Sequence, residues 1–175
     1  MLIRLLTPAD AIPFSKLRRE RLEQSPLAFA ESLAEHDALP LSKIAERLAR
    51  SQDNFVMGAF TPKAELVGMA GFARNPRLKS RHKGVVWGVY VRPKWRGTGA
   101  GRAILSRLIE QARSLEGLEQ IHLTVAITQA AARRLYESLG FEVFGHERHA
   151  LKVDGEYVDE DHMVLWLTTP EDSQP

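Results

Sequence analysis

The 175-residue sequence contains no cysteine. That absence excludes disulfides, zinc-thiolate sites and a cysteine nucleophile, and it makes an intracellular compartment the expected one. Charge of one sign is lacking too: 24 Lys+Arg face 22 Asp+Glu, a formal net charge of +2. A field that small does not draw nucleic acid over a distance, and the basic residues form no stripe interleaved with aromatics, so no nucleic-acid partner is expected. Long apolar runs are also missing. Met1 to Leu6 is stopped by Thr7-Pro8, far short of a membrane span or a signal-peptide core, so no membrane partner and a cytoplasmic location are expected. What remains, 44% hydrophobic and 26% charged residues, is the composition of a soluble globular protein, and the length suits one domain.

Turn residues divide the chain without repeats or low-complexity linkers. Leu2 to Leu6 reads as a short strand, and Thr7-Pro8 starts a helix that runs to about Gln24. Its apolar positions Ile12, Phe14, Leu17 and Leu22 leave Arg18, Arg19, Glu20 and Arg21 mostly solvated in this reading. A second helical piece is expected over Leu27 to His36 and a third from Ser42, carrying Ile44, Leu48 and Ala49 on one face. Phe55 to Phe60 and Leu66 to Ala73 form a predicted hairpin around Pro62-Lys63. Gly84 to Val91 is almost continuously apolar, which predicts a central strand buried on both faces. A helix follows from Gly99 to before Gly117, then a strand over Ile121 to Ile127, a helix over Gln129 to Leu139, and two strands around Asp154-Gly155, a strong hairpin signal. The pair of strands joined by the helix from Gly99 is expected to be parallel. This is a mixed α/β (α+β) domain over residues 1–167, with a polar tail from Thr168 to Pro175.

The richest stretch is Val89-Tyr90-Val91-Arg92-Pro93-Lys94-Trp95-Arg96-Gly97-Thr98-Gly99-Ala100-Gly101-Arg102, a strand feeding a basic, glycine-rich turn that opens a helix. Alternate glycines let the backbone approach a ligand, and free N–H groups at the helix start point at an anion. Arg96 and Arg102 can add contacts, while Arg92 and Lys94 raise the local positive potential. A P-loop needs Lys where Arg102 stands, and a dinucleotide fingerprint read from Gly97 needs Gly there, so both spacings fail.

The spacing R-x-x-G-x-G, met by Arg96, Gly99 and Gly101, does match the GCN5-related N-acetyltransferase (GNAT) family. A second stretch, Leu123-Thr124-Val125, then Ala131, then Leu135-Tyr136-Glu137-Ser138-Leu139-Gly140-Phe141, is similar to that family's L-x-V…N-x-x-A-x-x-L-Y-E-x-x-G-F, with Gln129 where Asn is usual. The resemblance implies a mostly antiparallel sheet of about seven strands, helices on both faces and one parallel, splayed pair. It implies acetyl-CoA as co-substrate, its pyrophosphate on Arg96, Gly97, Thr98, Gly99, Ala100, Gly101 and Arg102. Its pantetheine arm would run along Val89, Tyr90, Val91 and Gln129, one strand N–H polarising the acetyl carbonyl. Tyr136, also at the cofactor, would protonate the departing thiolate. Phenol to thiol is uphill by only about 2 kcal/mol.

The expected partners are acetyl-CoA and an amine acceptor, and a homodimer is allowed for. An acetyl-CoA-binding sensor without turnover is the alternative. No general base is marked: the residue between Leu123 and Val125 is Thr124, which cannot take up a proton at neutral pH. His82, Glu31 and Glu35 are candidates, each read more simply as a surface group. His146-Glu147-Arg148-His149 is one residue short of a zinc-protease motif and would put its histidines on opposite faces of a strand, so no metal is expected. Glu156, Asp159, Glu160 and Asp161 either attract a cationic amine or form a solvated hairpin end, the plainer reading.

Overall fold

A computed structural model describes residues 1–49 and 51–168. Apart from Thr168, the expected tail lies outside the described residues. Strand β1 (Leu2–Leu5) leads through a 3-10 turn (Pro8–Asp10) into helix α1 (Ala11–Gln24). The expected second helix is divided into a 3-10 turn (Pro26–Ala28) and a short α2 (Leu33–Asp37). Ser32 starts α2 afresh, its hydroxyl and the Glu35 carboxylate capping each other's backbone. Helix α3 (Leu41–Leu48) follows Pro40.

The rest follows the predicted order: β2 (Asn54–Phe60), β3 (Leu66–Arg74), β4 (Lys83–Val91), α4 (Ala100–Arg113), β5 (Gln120–Ala126), α5 (Ala130–Glu137), β6 (Glu142–Val153) and β7 (Glu156–Trp166). The seven strands form one sheet in the order β1-β2-β3-β4-β5-β7-β6. Among the described residues only β4 and β5 pair in parallel, as the α4 crossover requires. Asp154 and Gly155 both take positive φ, 50° and 88°, the geometry that a two-residue hairpin turn needs. Among the described residues no helix is long and apolar enough to cross a membrane.

Alternation along the strands sorts two cores. Phe55, Met57, Ala59, Phe72, Val86, Ile121 and Leu123 pack beneath α4, which contributes Ile104, Leu105 and Leu108. On the other face Leu6, Val56, Met69 and Tyr90 meet Phe14 and Leu17 of α1 and Ile44 and Leu48 of α3. Helices α1 and α3 cover only the β1–β4 side of that second face. The remainder, including most of β6, stays open, and this incomplete cover creates the cleft described below.

Two expectations are corrected here. Ile12 is 56% exposed, whereas Arg18 and Arg21 are only 4% and 3% exposed. Phe14, Leu17, Arg18 and Arg21 stand at i, i+3, i+4 and i+7, one helical face, so the arginines share the stripe that packs inward. Nor is β4 buried on both faces: Val85 is 44% exposed and Trp87 and Val89 are half-buried, Trp87 at the edge of the α1–α3 core and Val89 at the edge of the α4 core.

Phe72 is fully buried and stacks on Phe55 with ring centroids 5.0 Å apart. Phe72→Ala should therefore cost about 3–5 kcal/mol of stability, read as a lower urea midpoint at unchanged m-value.

Candidate active site

Strand β4 loses its parallel neighbour partway. Lys83, Gly84 and Val85 pair with Gln120, Ile121 and His122, and no pair follows although both strands continue. Against β3 the chain takes three steps from Trp87 to Tyr90 while β3 takes two from Gly71 to Met69, a bulge centred on Gly88, whose φ is +62°. The bulge turns β4 away from β5 and leaves backbone groups of both strands unpaired. Val89 and Val91 line this parting edge, and the carbonyl of Val91 already accepts from Arg96 Nε at 3.0 Å. Tyr90 sends its ring into the α1 side, where its hydroxyl donates to Gln24 at 2.9 Å. Burial and the neighbouring Glu20 push that phenol up to about 12.

Beyond the strand end, Gly97 (φ +74°) and Gly99 (φ +87°) shape the turn, and a Cβ on either would meet nothing within 4 Å, so this backbone lies open. Gly101 faces inward, where a Cβ would stand 3.1 Å from Leu135. Thr98 Oγ1 donates to the Trp95 carbonyl at 2.7 Å, tightening the turn. Among the described residues no hydrogen bond uses the N–H groups of Gly97 to Arg102, which stand at the start of α4. Arg96 is exposed, and Arg102 leans on α5 through Ser138 Oγ at 2.6 Å. Arg92 differs from expectation: Glu20 and Glu65 both pair with it, so its charge is not free for the turn.

The parting strands open onto a cleft of about 590 Å³. Gln129, immediately before α5, and Tyr136, on α5, both line it. Tyr136 is buried edge-on to Phe141, ring centroids 6.0 Å apart, and its hydroxyl bonds to no other described residue. Burial pushes its pKa well above the ordinary phenol value, so the group is a proton donor at neutral pH. Across the cleft stand Arg18, Arg21 and Glu31 from the N-terminal segment, and Thr124, Glu160 and His162 from β5 and β7. Arg21 packs directly on the bulge: a Cβ at Gly88 would lie 2.7 Å from its Nη1. Burial, and Arg18 beside it, lower the Arg21 pKa to about 10. Burial opposes ionisation of Glu31, but Arg18, Arg21 and Arg47 outweigh it and hold this carboxyl below its usual range.

The profile of the Acetyltransferase (GNAT) family matches residues 16–141, most of the chain. The chain belongs to the GNAT family. It is similar to the L-amino acid N-acetyltransferase AaaT of Escherichia coli, 33% identical over 79 residues that cover 45% of this chain and 48% of the relative. A second relative is the L-methionine sulfoximine/L-methionine sulfone acetyltransferase of Pseudomonas paraeruginosa, 30% identical over 120 residues, 68% of this chain and 69% of that one. The chain spans about half the length of the first relative and over two thirds of the second. Among solved structures, yncA from Salmonella typhimurium with its cofactor acetyl-CoA superposes with a TM-score of 0.82 at 25% identity, covering 100% of this chain and 97% of that one.

On this GNAT fold Gln129 and Tyr136 line the cleft at the parted strands, and the glycine turn adjoins them through Gly101 against Leu135. The remaining sequence candidates scatter. Glu35 is spent on capping α2, and His82 lies at the closed end of the β4–β5 pair, where its carbonyl accepts from Glu119. His146 is held by Asp159 and Asp161, and His149 stacks on Tyr157 at 4.2 Å. Among the described residues no group of three could hold a metal ion. The acidic hairpin is not uniformly solvated: Asp161 is buried against Arg133, while Glu160 turns into the cleft beside Thr124. The sequence reading passed over Arg18 and Arg21 as site residues and took Glu160 only as one of four hairpin acids. Helical spacing marks the first two, whereas Glu160 depends on a register between β5 and β7 that no local pattern reports.

Burial, and then Glu147 paired opposite on β6, raise the Glu160 pKa. Its carboxyl carbon, followed by NMR, should titrate above the ordinary value of about 4.3. Glu147→Gln should move the midpoint down towards that value.

Proposed function

We propose that this chain is an acetyl-CoA-dependent N-acetyltransferase, one domain over residues 1–167, that passes an acetyl group directly to a primary amine of a small molecule or peptide in the cytoplasm. The observation that carries this reading is an unpaired strand edge and the free hydroxyl of Tyr136 in one cleft, with an anion-ready turn next to them, its Gly101 packed against Leu135, the residue before Tyr136.

The residues present suit the co-substrate. The exposed N–H groups of the turn, with Arg96 and Arg102, would take the pyrophosphate. Val89, Tyr90, Val91 and Gln129 would hold the pantetheine amides by added-strand pairing. When bound, acetyl-CoA supplies an acetyl group activated as a thioester. The amine nitrogen forms a bond to the acetyl carbon as the carbon–sulfur bond breaks. Glu160 takes the proton that the amine loses, its raised pKa making it a better base than an exposed carboxylate. Tyr136 gives its proton to the leaving sulfur. Burial raises the phenol, but a thiolate held against the buried Tyr136 is destabilised as well, so the transfer does not become steeper by the full shift of the tyrosine. No cysteine exists to form an acyl-enzyme, which suits the direct route.

Tyr136→Phe should lower kcat by about 10² or more, with little change in acetyl-CoA affinity by calorimetry; full turnover in this variant would remove Tyr136 from the mechanism. Activity needs Glu160 ionised, so kcat/KM should fall with decreasing pH through a pKa above the ordinary carboxylate range. Glu160→Gln should lower kcat/KM and abolish that acid limb; a limb that survives belongs to another group.

A further inference from the structure

The N-terminal wall of the cleft carries more buried positive charge than its partners neutralise. Arg18 and Arg21 have side chains only 5% and 4% exposed. Both donate through Nη2 to a single oxygen, Oε2 of Glu31, and Arg47 Nη1 approaches the other oxygen at 3.6 Å. Three guanidiniums thus share one carboxylate. The Nε–H groups of Arg18 and Arg21 are buried with no acceptor among the described residues. His36, buried nearby with Nε2 3.2 Å from the Ser15 hydroxyl, supplies no anion. Its pKa is lowered by burial and by Arg18, which keeps the ring neutral at pH 7. Phe14 and Trp87 lie beside Arg18, and Phe29 beside Arg21; ring faces ease the burial of charge but accept no in-plane N–H bond.

Buried donors are almost always paired, and a guanidinium with donors to spare matches a carboxylate in shape and charge. Both arginines border the cleft. Arg21 does so at the bulge of Gly88, where the strands begin to part and where the acceptor's nitrogen must arrive.

We propose that the acceptor is a free amino acid, its carboxylate bound by Arg18 and Arg21 while its amino group faces the β4–β5 opening. This rests on the acetyltransferase reading above. The short reach from Arg21 to the opening calls for an anion only a few bonds from the amine, as in an α-amino acid. A protein N-terminus has a neutral amide at that position, and a polyamine would bring a second cation against the guanidiniums. A phosphate dianion would meet greater repulsion from Glu31, which the arginines keep ionised.

The test uses matched sets of an amino acid, its primary amide and the decarboxylated amine, such as phenylalanine, phenylalaninamide and phenethylamine, over several side chains. Acetylated product is measured by mass spectrometry. Binding is measured in parallel, in the presence of CoA, from tryptophan emission, since the Trp87 ring lies 6.0 Å from the Arg18 guanidinium. The amino acid should exceed both analogues by about tenfold or more in kcat/KM and in affinity, in line with a charge-assisted bond. Arg21→Gln should bring that ratio towards one. Equal or better use of amide and amine by the unaltered protein overturns the carboxylate site while leaving the acetyltransferase reading intact. Acid-selective binding without transfer to any compound supports the site and removes the acetyltransferase reading. A ratio that persists in a folded Arg21→Gln variant also overturns the assignment.

Discussion

One extra residue in β4 organises everything around it. Up to Val85 the strand pairs with β5 like any parallel neighbour. The bulge at Gly88 then turns it outward, and the sheet divides while remaining anchored by β3 on one side and β7 on the other. Backbone groups that the sheet leaves unpaired find partners in water or in a guest, so the opening offers an edge on which an extended chain can pair. The same divergence sends the strand end over α4, which brings the glycine turn to one end of the opening. Helix α5 places Tyr136 beside that turn, since Gly101 lies against Leu135 and Arg102 bonds to Ser138.

The bulge depends in turn on a side chain from a distant part of the chain. A residue with φ of +62° is strained for anything but glycine, and the space that a Cβ would take holds the Arg21 guanidinium. Removing one member of a buried ionic cluster costs about 3–5 kcal/mol, and among the described residues Glu31 is the only carboxylate reached by both Arg18 and Arg21. The cluster holds α1 to the segment that carries Glu31, and α1 meets β4 through Arg21 at Gly88, through Glu20 paired with Arg92 at the strand end, and through the core that Phe14 and Leu17 share with Tyr90. The wall of the cleft and the curvature of the strand are one construction.

Most of the architecture was legible because each element announces its ends locally. Thr7-Pro8, Gly99, Asp154-Gly155 and the alternation along Phe55 to Phe60 each act within a few residues, and the crossover rule then makes β4 and β5 parallel. The cofactor side was legible for the same reason, since Arg96 to Arg102 and Leu135 to Phe141 are contiguous. Failures came where the answer depended on tertiary cover. Gly84 to Val91 has the apolar run of a doubly buried strand, but α1 and α3 stop short of its open half. Reading arginine as solvent-facing put Arg18 and Arg21 outside, although their spacing with Phe14 and Leu17 places them inside. Glu160 sits amid acidic neighbours with quite different surroundings, and only the β7 register separates it from Asp161, which turns to the opposite face.

That separation shows how the cleft assigns two proton positions with one physical effect. Burial raises both Tyr136 and Glu160, because each is harder to ionise away from water. For the phenol, the shift ensures that a proton is present at neutral pH. For the carboxyl it does the reverse service: starting from a low value, a rise moves it towards neutrality, where it can accept a proton and remain mostly ionised beforehand. Like-charge pressure from Glu147 adds to the rise on the carboxyl, while no charged neighbour adds to that on the phenol. One effect, burial, thus leaves a protonated phenol and a more basic carboxyl in the same cleft, because their starting values lie on opposite sides of pH 7.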